Sequence, residues 1–463
     1  MMLSDLCKRV HGKLLGADVS IQAISTDTRT IKKGDVFLAL RGESFDGHEF
    51  VKSAQDKGAA AVVVDNELAL PLPQLVVKDT LTALGQAGAL NRESSNSTVI
   101  AITGSSGKTS VKGMLQSILS GAGETLATEG NFNNHIGVPI TLLRINEQHR
   151  YSVIEAGTGG KGEIAYLVDL IQPQVALVNN VSLAHGLGFG SEQAIAEEKS
   201  EIYKNADIGV VNLMDKHTNI FMERLVDKKI FAYSKVDESA SHKDSAKKLN
   251  ISQSALILAS NLFCNTKGGY RFVLSYGEQS VPVELSVPGL HSVDNALAAA
   301  ACAVATGLNL ECVAKGLSGF SGVRGRMQTV ASAAVAQLID DTYNANPASM
   351  RAAIDFLASQ ATPVLVVGDM GELGEAEIQE HRKLGEYAKN KGIQQMFAVG
   401  PLSLHAVNAF GEGGKWFETQ DAMKAFLARA KIEAASVLVK GSRYTHMENI
   451  IKYLQQLKGA EKC

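Results

Sequence analysis

The residues Thr103–Ser110 read TGSSGKTS and stand between an apolar, β-branched run and a helix-like stretch. Backbone N–H groups of such a turn, with the N-terminus of the helix that follows, are aimed to cradle phosphate oxygens. In the pattern G-x-x-G-K-T, Gly104 and Gly107 allow the turn, while Ser105, Ser106 and Ser110 add donors. Lys108 would reach the β- and γ-phosphates, and the Thr109 hydroxyl would hold Mg²⁺. Ile102 stands where the longer Walker pattern has glycine, so the loop is a shortened form. The chemistry implied is binding of ATP or a similar nucleotide, and it does not choose among kinases, motors, switches and ligases.

Other residues have the right type and place to act beside it. Glu155 ends the strand-like Tyr151–Ile154, and a carboxylate at the C-terminal edge of a parallel strand next to a phosphate loop is a natural Mg²⁺ ligand. His185 follows the run Val175–Val178 and its Asn179–Asn180 turn, where a lone histidine is ordinarily packing or surface. Lys199 lies on the helix-like Glu192–Asn205 beside Glu197, Glu198 and Glu201, the setting of an ion-paired surface lysine. His291 and Asn295, four apart, share one helix face, where capping is the bland alternative. Asp341 ends a strand, and Asn344, Asn346 and Pro347 form a turn before a helix. That is where α/β sheets bind ligands, and equally a turn that needs no function.

The elements that must position these residues form an α/β pattern. Residues 1–96 read as a compact N-terminal unit with a polar linker at Asn91–Ser97. Residues 97–318 alternate short strands with longer helices around the phosphate loop, the signature of a parallel sheet. Gly319–Gly325 supplies a flexible joint, and residues 319–463 form a second, Rossmann-like βαβ series. A chain of 463 residues suits three such domains. Its 45% hydrophobic and 20% charged residues fit neither wholesale disorder nor a membrane protein. A formal charge of −3 without a long basic run argues against nucleic acid. The five scattered cysteines form no CxxC pair, so they are expected to be reduced packing residues. With no apolar signal-like or membrane-length run, a cytoplasmic protein is expected.

Taken in order, several strings resemble the Mur ligases over nearly the whole chain: Asp27–Arg29 with Phe37–Leu40 and Asp46–His48, TGSSGKTS, Asn131–Leu142, Asn179–Ser191, His291–Asn295, Arg324–Arg326, Asp340–Pro347 (DDTYNANP), Gly368–Gly374 (GDMGELG) and Lys440–Arg443. The resemblance is to the type that joins D-alanyl-D-alanine to UDP-N-acetylmuramoyl-tripeptide. It implies an ATP-dependent amide-forming ligase of peptidoglycan precursor synthesis, working through an acyl phosphate, with a monomer expected. By resemblance, Glu155 shares one Mg²⁺ with Thr109, while His185 and a carbamylated Lys199 serve a second. Asn295 falls at the adenine, Arg326 near the phosphates, Asp341 near the ribose, and Tyr343, Asn344 and Asn346 near the nucleotide or the incoming amine. GDMGELG shapes the acceptor pocket, where Lys440 and Arg443 could hold a carboxylate. Thr28, Arg29, Arg41, Asp46 and His48 resemble a uridine-diphosphate region, and Asn133, Asn134 and His135 a substrate-contact loop.

Alternatives are another Mur-type or folylpolyglutamate ligase, or a nucleotide-binding protein that has lost ligation. Two loops depart from the pattern. Ala156–Glu163 is rich in glycine and lacks an expected Asn, and Gly186-Leu187-Gly188 lacks an expected acidic residue. Extra glycine costs conformational entropy, so looser preorganisation there is expected.

Overall fold

The computed structural model describes residues 1–42, 45–182, 189–236, 246–249, 251–265, 268–430, 432 and 435–457. Among them three sheets follow one another along the chain, of five, nine and six strands. In the nine-stranded sheet, strand Thr98–Thr103 is flanked by Tyr151–Glu155 on one side and Val175–Val178 on the other, all parallel. Every residue of Thr98–Thr103 after the first is buried, as a strand covered on both faces requires. Because the chain leaves this strand toward one side and later returns on the other, its carboxyl end is the point where the sheet's winding reverses, and ligand crevices form there.

Helix Lys108–Ser120 follows the phosphate turn and packs beneath helix Leu290–Ala305. The latter buries an unbroken run from Asn295 to Ala305, and its alanines let the two backbones approach closely. The far edge of the sheet differs from expectation. Leu256–Cys264, Tyr270–Tyr276 and Gln279–Leu285 form an antiparallel meander, with partly alternating burial that leaves one face to solvent.

The polar stretch Asn91–Ser97 is not a loose linker. Its first residues end helix Thr80–Glu93, and Arg92, buried, donates to the carbonyls of Ile171 and Gln172 at 3.0 and 2.9 Å. Asn91 donates to Leu142 and Ile145 carbonyls. Polar side chains here satisfy the ends of helices in the central unit, which ties the first sheet firmly to the second.

In the C-terminal sheet, Gln337–Asp341, Ser436–Lys440, Pro363–Val367, Gln395–Val399 and Gly414–Phe417 run parallel in that spatial order, with Gln328–Val330 antiparallel at the edge. Asp341, Lys440 and the residues after Val367 therefore emerge together at its carboxyl end. The joint before it is packed rather than free: Phe320 is buried against the central core, and Tyr343 N–H donates to Gly325 O at 3.0 Å.

Candidate active site

The carboxyl ends of the second and third sheets face one cleft of about 790 Å³. Its floor is the phosphate turn. Gly107, with φ +76°, caps helix Lys108–Ser120, and a Cβ there would lie 2.4 Å from Asn295 Oδ1, so only glycine fits. Ser105 and Ser106 N–H groups donate to the Asn180 backbone and side-chain oxygens at 2.9 and 3.0 Å. Asn179 Nδ2 donates to both Ser106 O and Asn295 Oδ1 at 3.0 Å. Two elements distant in sequence, the Asn179–Asn180 turn and helix Leu290–Ala305, thus fix the turn's shape. Lys108 Nζ donates to Gly104 O at 2.7 Å, and burial holds its pKa below that of a free lysine.

Glu155 is the last residue of its strand and is 2% exposed. Its Oε2 accepts from Thr109 Oγ1 at 3.1 Å and stands 3.7 Å from Lys112 Nζ, while Oε1 accepts from Asn133 Nδ2 at 2.9 Å. A hydroxyl and a carboxylate side by side at the phosphate turn are hard oxygen donors. They suit a cation that takes one or two protein oxygens and completes its shell with phosphate and water. Among the described residues no group of three or more His, Cys, Asp or Glu is gathered for a metal, so a cage made by the protein alone is not the arrangement.

Lys199 overturns the surface-lysine reading. It is 3% exposed, and burial, with the nearby Lys108 cation, pushes its pKa down to about 7. The neighbouring acid that made it look like surface, Glu198, is itself buried and accepts from the N–H groups of Gly162 and Ile164 at 2.7 and 2.8 Å. It caps helix Glu163–Ile171 from outside. The glycine-rich loop before that helix is bonded throughout: Gly157 N–H donates to Asn133 O at 2.7 Å, and Gly159 N–H to Glu163 Oε2 at 2.8 Å. His185 and the departing loop 186–188 lie outside the described residues.

Arg326 reaches the turn from the third unit, with Nη2 donating to Thr109 Oγ1 at 3.1 Å and its Nε buried without a partner among the described residues. Its guanidinium stacks 4.1 Å from the centre of the Tyr343 ring. Asp341 is paired with Lys440 at 2.7 Å and also accepts from Met327 N–H. Lys440 donates as well to Asn344 O, so it is spent inside the protein and does not offer the free charge expected of it for a carboxylate. Asn346 caps helix Pro347–Ala358 by accepting from Ser349 N–H at 2.8 Å. Arg443, on the rim, pairs with Glu448 at 3.2 Å. His291 and Asn295 both face the cleft, and burial lowers the His291 pKa, keeping it neutral. Asn134 lines the same wall as Asn133, while His135 borders a smaller neighbouring cavity.

Thr28, Arg29, Arg41, Asp46 and His48 do not line the cleft. Arg29 folds back on Asp27, and the Thr28 carbonyl accepts from Lys57. Arg41 lies between Asp46 and Asp65, and His48 bridges the same two residues, through Asp46 Oδ1 at 2.7 Å and Asp65 N–H at 3.1 Å. Asp65 was missed, although it follows strand Ala61–Val64 as Glu155 and Asp341 end theirs. Lys112, Asn180 and the pair Lys235–Asp294, 2.9 Å apart, were also missed. Lys235 could have been found by the same strand-end rule.

Comparison with known proteins places this geometry. Models of the Mur ligase family, catalytic domain, the Mur ligase middle domain and the Mur ligase, glutamate ligase domain match residues 20–92, 102–303 and 325–458. The UDP-N-acetylmuramoyl-tripeptide–D-alanyl-D-alanine ligase of Escherichia coli (strain K12) is 40% identical, with 98% of each chain covered. The crystal structure of MurF from Acinetobacter baumannii is 36% identical over 98% of each chain, with a TM-score of 0.88. A MurF ligase from Thermotoga maritima, solved in complex with ADP, shares the fold at 23% identity and a TM-score of 0.80, covering 94% of this chain and 97% of that one.

Proposed function

The chain belongs to the Mur ligase family, and from that premise we propose how its residues carry out an ATP-dependent ligation. The reaction is the joining of D-alanyl-D-alanine to UDP-N-acetylmuramoyl-tripeptide in peptidoglycan synthesis. The observation that carries the residue assignment is the contact of Thr109 with both Glu155 and Arg326 at the mouth of the phosphate turn.

The turn Gly104–Ser110 holds the triphosphate through the backbone N–H groups at the start of helix Lys108–Ser120, with Lys108 at the β- and γ-phosphates. His291 and Asn295 flank the base, and Asp341 the ribose. Thr109 and Glu155 would hold one Mg²⁺; Lys199, carbamylated, and His185 would serve a second. Mg²⁺ there would neutralise charge that otherwise repels a carboxylate from the triphosphate. Lys199 suits this role because carbamylation needs a neutral amine, and a pKa near 7 leaves about half of it neutral at neutral pH, against roughly one in 3,000 for an ordinary lysine.

The tripeptide's terminal carboxylate is a poor electrophile. It takes the γ-phosphoryl group to become an acyl phosphate, the dipeptide amine attacks that carbonyl, and phosphate leaves. Arg326, whose buried Nε has no partner among the described residues, is set to stabilise charge on the transferring group. Tyr343, Asn344, Asn346 and Arg443 shape the acceptor side. Asn133 and Asn134 contact the tripeptide end, and Thr28, Arg29, Arg41, Asp46 and His48 recognise the nucleotide-sugar. We assign these roles to units 1–96, 97–318 and 319–463, and expect a cytoplasmic monomer. No described helix is long and apolar enough to cross a membrane.

The test is phosphate release from Mg-ATP with purified UDP-N-acetylmuramoyl-tripeptide, with and without D-alanyl-D-alanine, following the amide by mass. Product and release that require both substrates support the reading; tight ATP binding without product overturns it. A carbamate signal with ¹³C-bicarbonate, absent from Lys199→Ala, checks the modification.

A further inference from the structure

The segment after strand Pro363–Val367 walls the cleft opposite the phosphate turn through Gly371, Glu372 and Leu373. Glu372 has φ +63°, a backbone shape that residues with a side chain avoid, so its neighbours must hold it there. Three contacts do so. Asp369 Oδ1 accepts from the N–H and hydroxyl of Ser403 at 2.7 and 2.5 Å, Gly371 N–H donates to Ser442 Oγ at 2.7 Å, and between them Met370 N–H donates to His381 Nε2 at 2.9 Å.

His381 is 1% exposed, on helix Glu377–Asn390. Its Nδ1 lies 2.6 Å from Glu377 O. A carbonyl only accepts and an amide N–H only donates, so the ring must carry its proton on Nδ1 and leave Nε2 bare. Burial and the two bonds hold the ring, and the helix that carries it packs closely: a Cβ on Gly385 would fall 2.0 Å from Ala406 O of helix Ser403–Phe410. The charged or titratable groups facing the ring are Asp369 from the loop, His405 from the packed helix and Glu377 from its own; burial, aided by His405, outweighs the two acidic residues and holds the imidazole pKa below its ordinary value.

We propose that His381 is a positioning residue for the dipeptide-binding wall, fixing Met370–Leu373 so that D-alanyl-D-alanine is presented to the acyl phosphate. This rests on the ligase reading above. Protonation of Nε2 sets an N–H against the Met370 N–H and releases the wall, so acid weakens capture of the dipeptide while the phosphate turn keeps its grip on ATP.

The experiment uses the full-length enzyme with all three substrates, varying each in turn. If wild type forms no amide, the ligase reading fails on its own. With wild type active, His381→Leu is expected to raise the KM for D-alanyl-D-alanine about tenfold or more, leaving the KM for ATP and for UDP-N-acetylmuramoyl-tripeptide within about twofold. His381→Gln, whose side-chain oxygen can accept from Met370 N–H, should recover most of that loss. The wild-type dipeptide KM should climb on acidification past the ordinary imidazole range, a rise that His381→Gln lacks. An unchanged dipeptide KM in His381→Leu, or an equal rise in all three KM values, overturns the proposal. If His381→Leu does not fold, Ser442→Ala decides: a selective rise in dipeptide KM supports it, and no rise overturns it.

Discussion

The phosphate turn of the central unit and the Arg41–Asp46–His48–Asp65 cluster of the first unit are both expected to meet a nucleotide's phosphates, yet they are built in opposite ways. The turn is held by backbone geometry and by side-chain amides from two elements, and the cations beside it are largely desolvated. The first-unit cluster is instead made of side chains alone: the half-exposed Arg41 lies between the Asp46 and Asp65 carboxylates, and His48 bridges the same two residues. A rigid, partly dry site can spend its electrostatics on the transition state, while a cluster of side chains open to solvent on one side mainly sets recognition.

Lys108→Ala should break this contrast most visibly, lowering kcat/KM by roughly a thousandfold, about 4 kcal/mol, with the fold intact, because among the described residues the ammonium donates to the Gly104 carbonyl alone. Phosphate-release kinetics beside a melting curve check it. Gly107→Ala, by contrast, should act through the backbone: a left-handed φ and a Cβ crowding Asn295 predict about 1–3 kcal/mol of lost stability with weakened ATP binding, read by denaturant titration and calorimetry.

In the first unit, Asp65→Asn should raise the KM for the nucleotide-sugar several-fold and leave that for ATP unchanged, since the Asp65 carboxylate holds Arg41 and touches nothing at the turn. A comparable fall in ATP affinity would erase the distinction between the two regions.

The smallest effect belongs to Arg29→Ala. The Arg29 guanidinium holds the Asp27 carboxyl down to about 2, so the variant should return it toward the ordinary value near 3.8, measured by NMR titration. Since the folded value is the depressed one, this pair's stabilisation is present above about pH 4 and disappears as pH falls toward 2; solvent exposure keeps it small.

The same contrast decided what the sequence made legible. Strand, glycine turn and helix are adjacent in the chain, so the phosphate turn could be read directly, and the strand-end rule located Glu155 and Asp341. Lys199 could not be read as buried, because Glu198 looks like a solvated neighbour until the helix it caps is seen. Asn91 and Arg92 looked like linker for the same reason: their polar ends are answered by carbonyls about 50 to 80 residues away. Asp65 depends on an arginine 24 residues earlier, a pairing that no local pattern encodes. The antiparallel meander at the sheet's edge escaped because its strands lack the regular spacing of βαβ units.

Arg326 stands one residue after Gly325, where the chain turns through a left-handed conformation on entering the C-terminal unit, and it touches Thr109 across the cleft while stacking on Tyr343. The entry to the C-terminal unit and the contact with the phosphate turn are therefore one short piece of chain. By linkage, any nucleotide that favours one orientation of Arg326 also favours one angle between the units, and a ligand that sets the angle alters nucleotide affinity by the same factor. For an inhibitor this means that wedging the units apart and competing with ATP are a single thermodynamic act, measurable from either end.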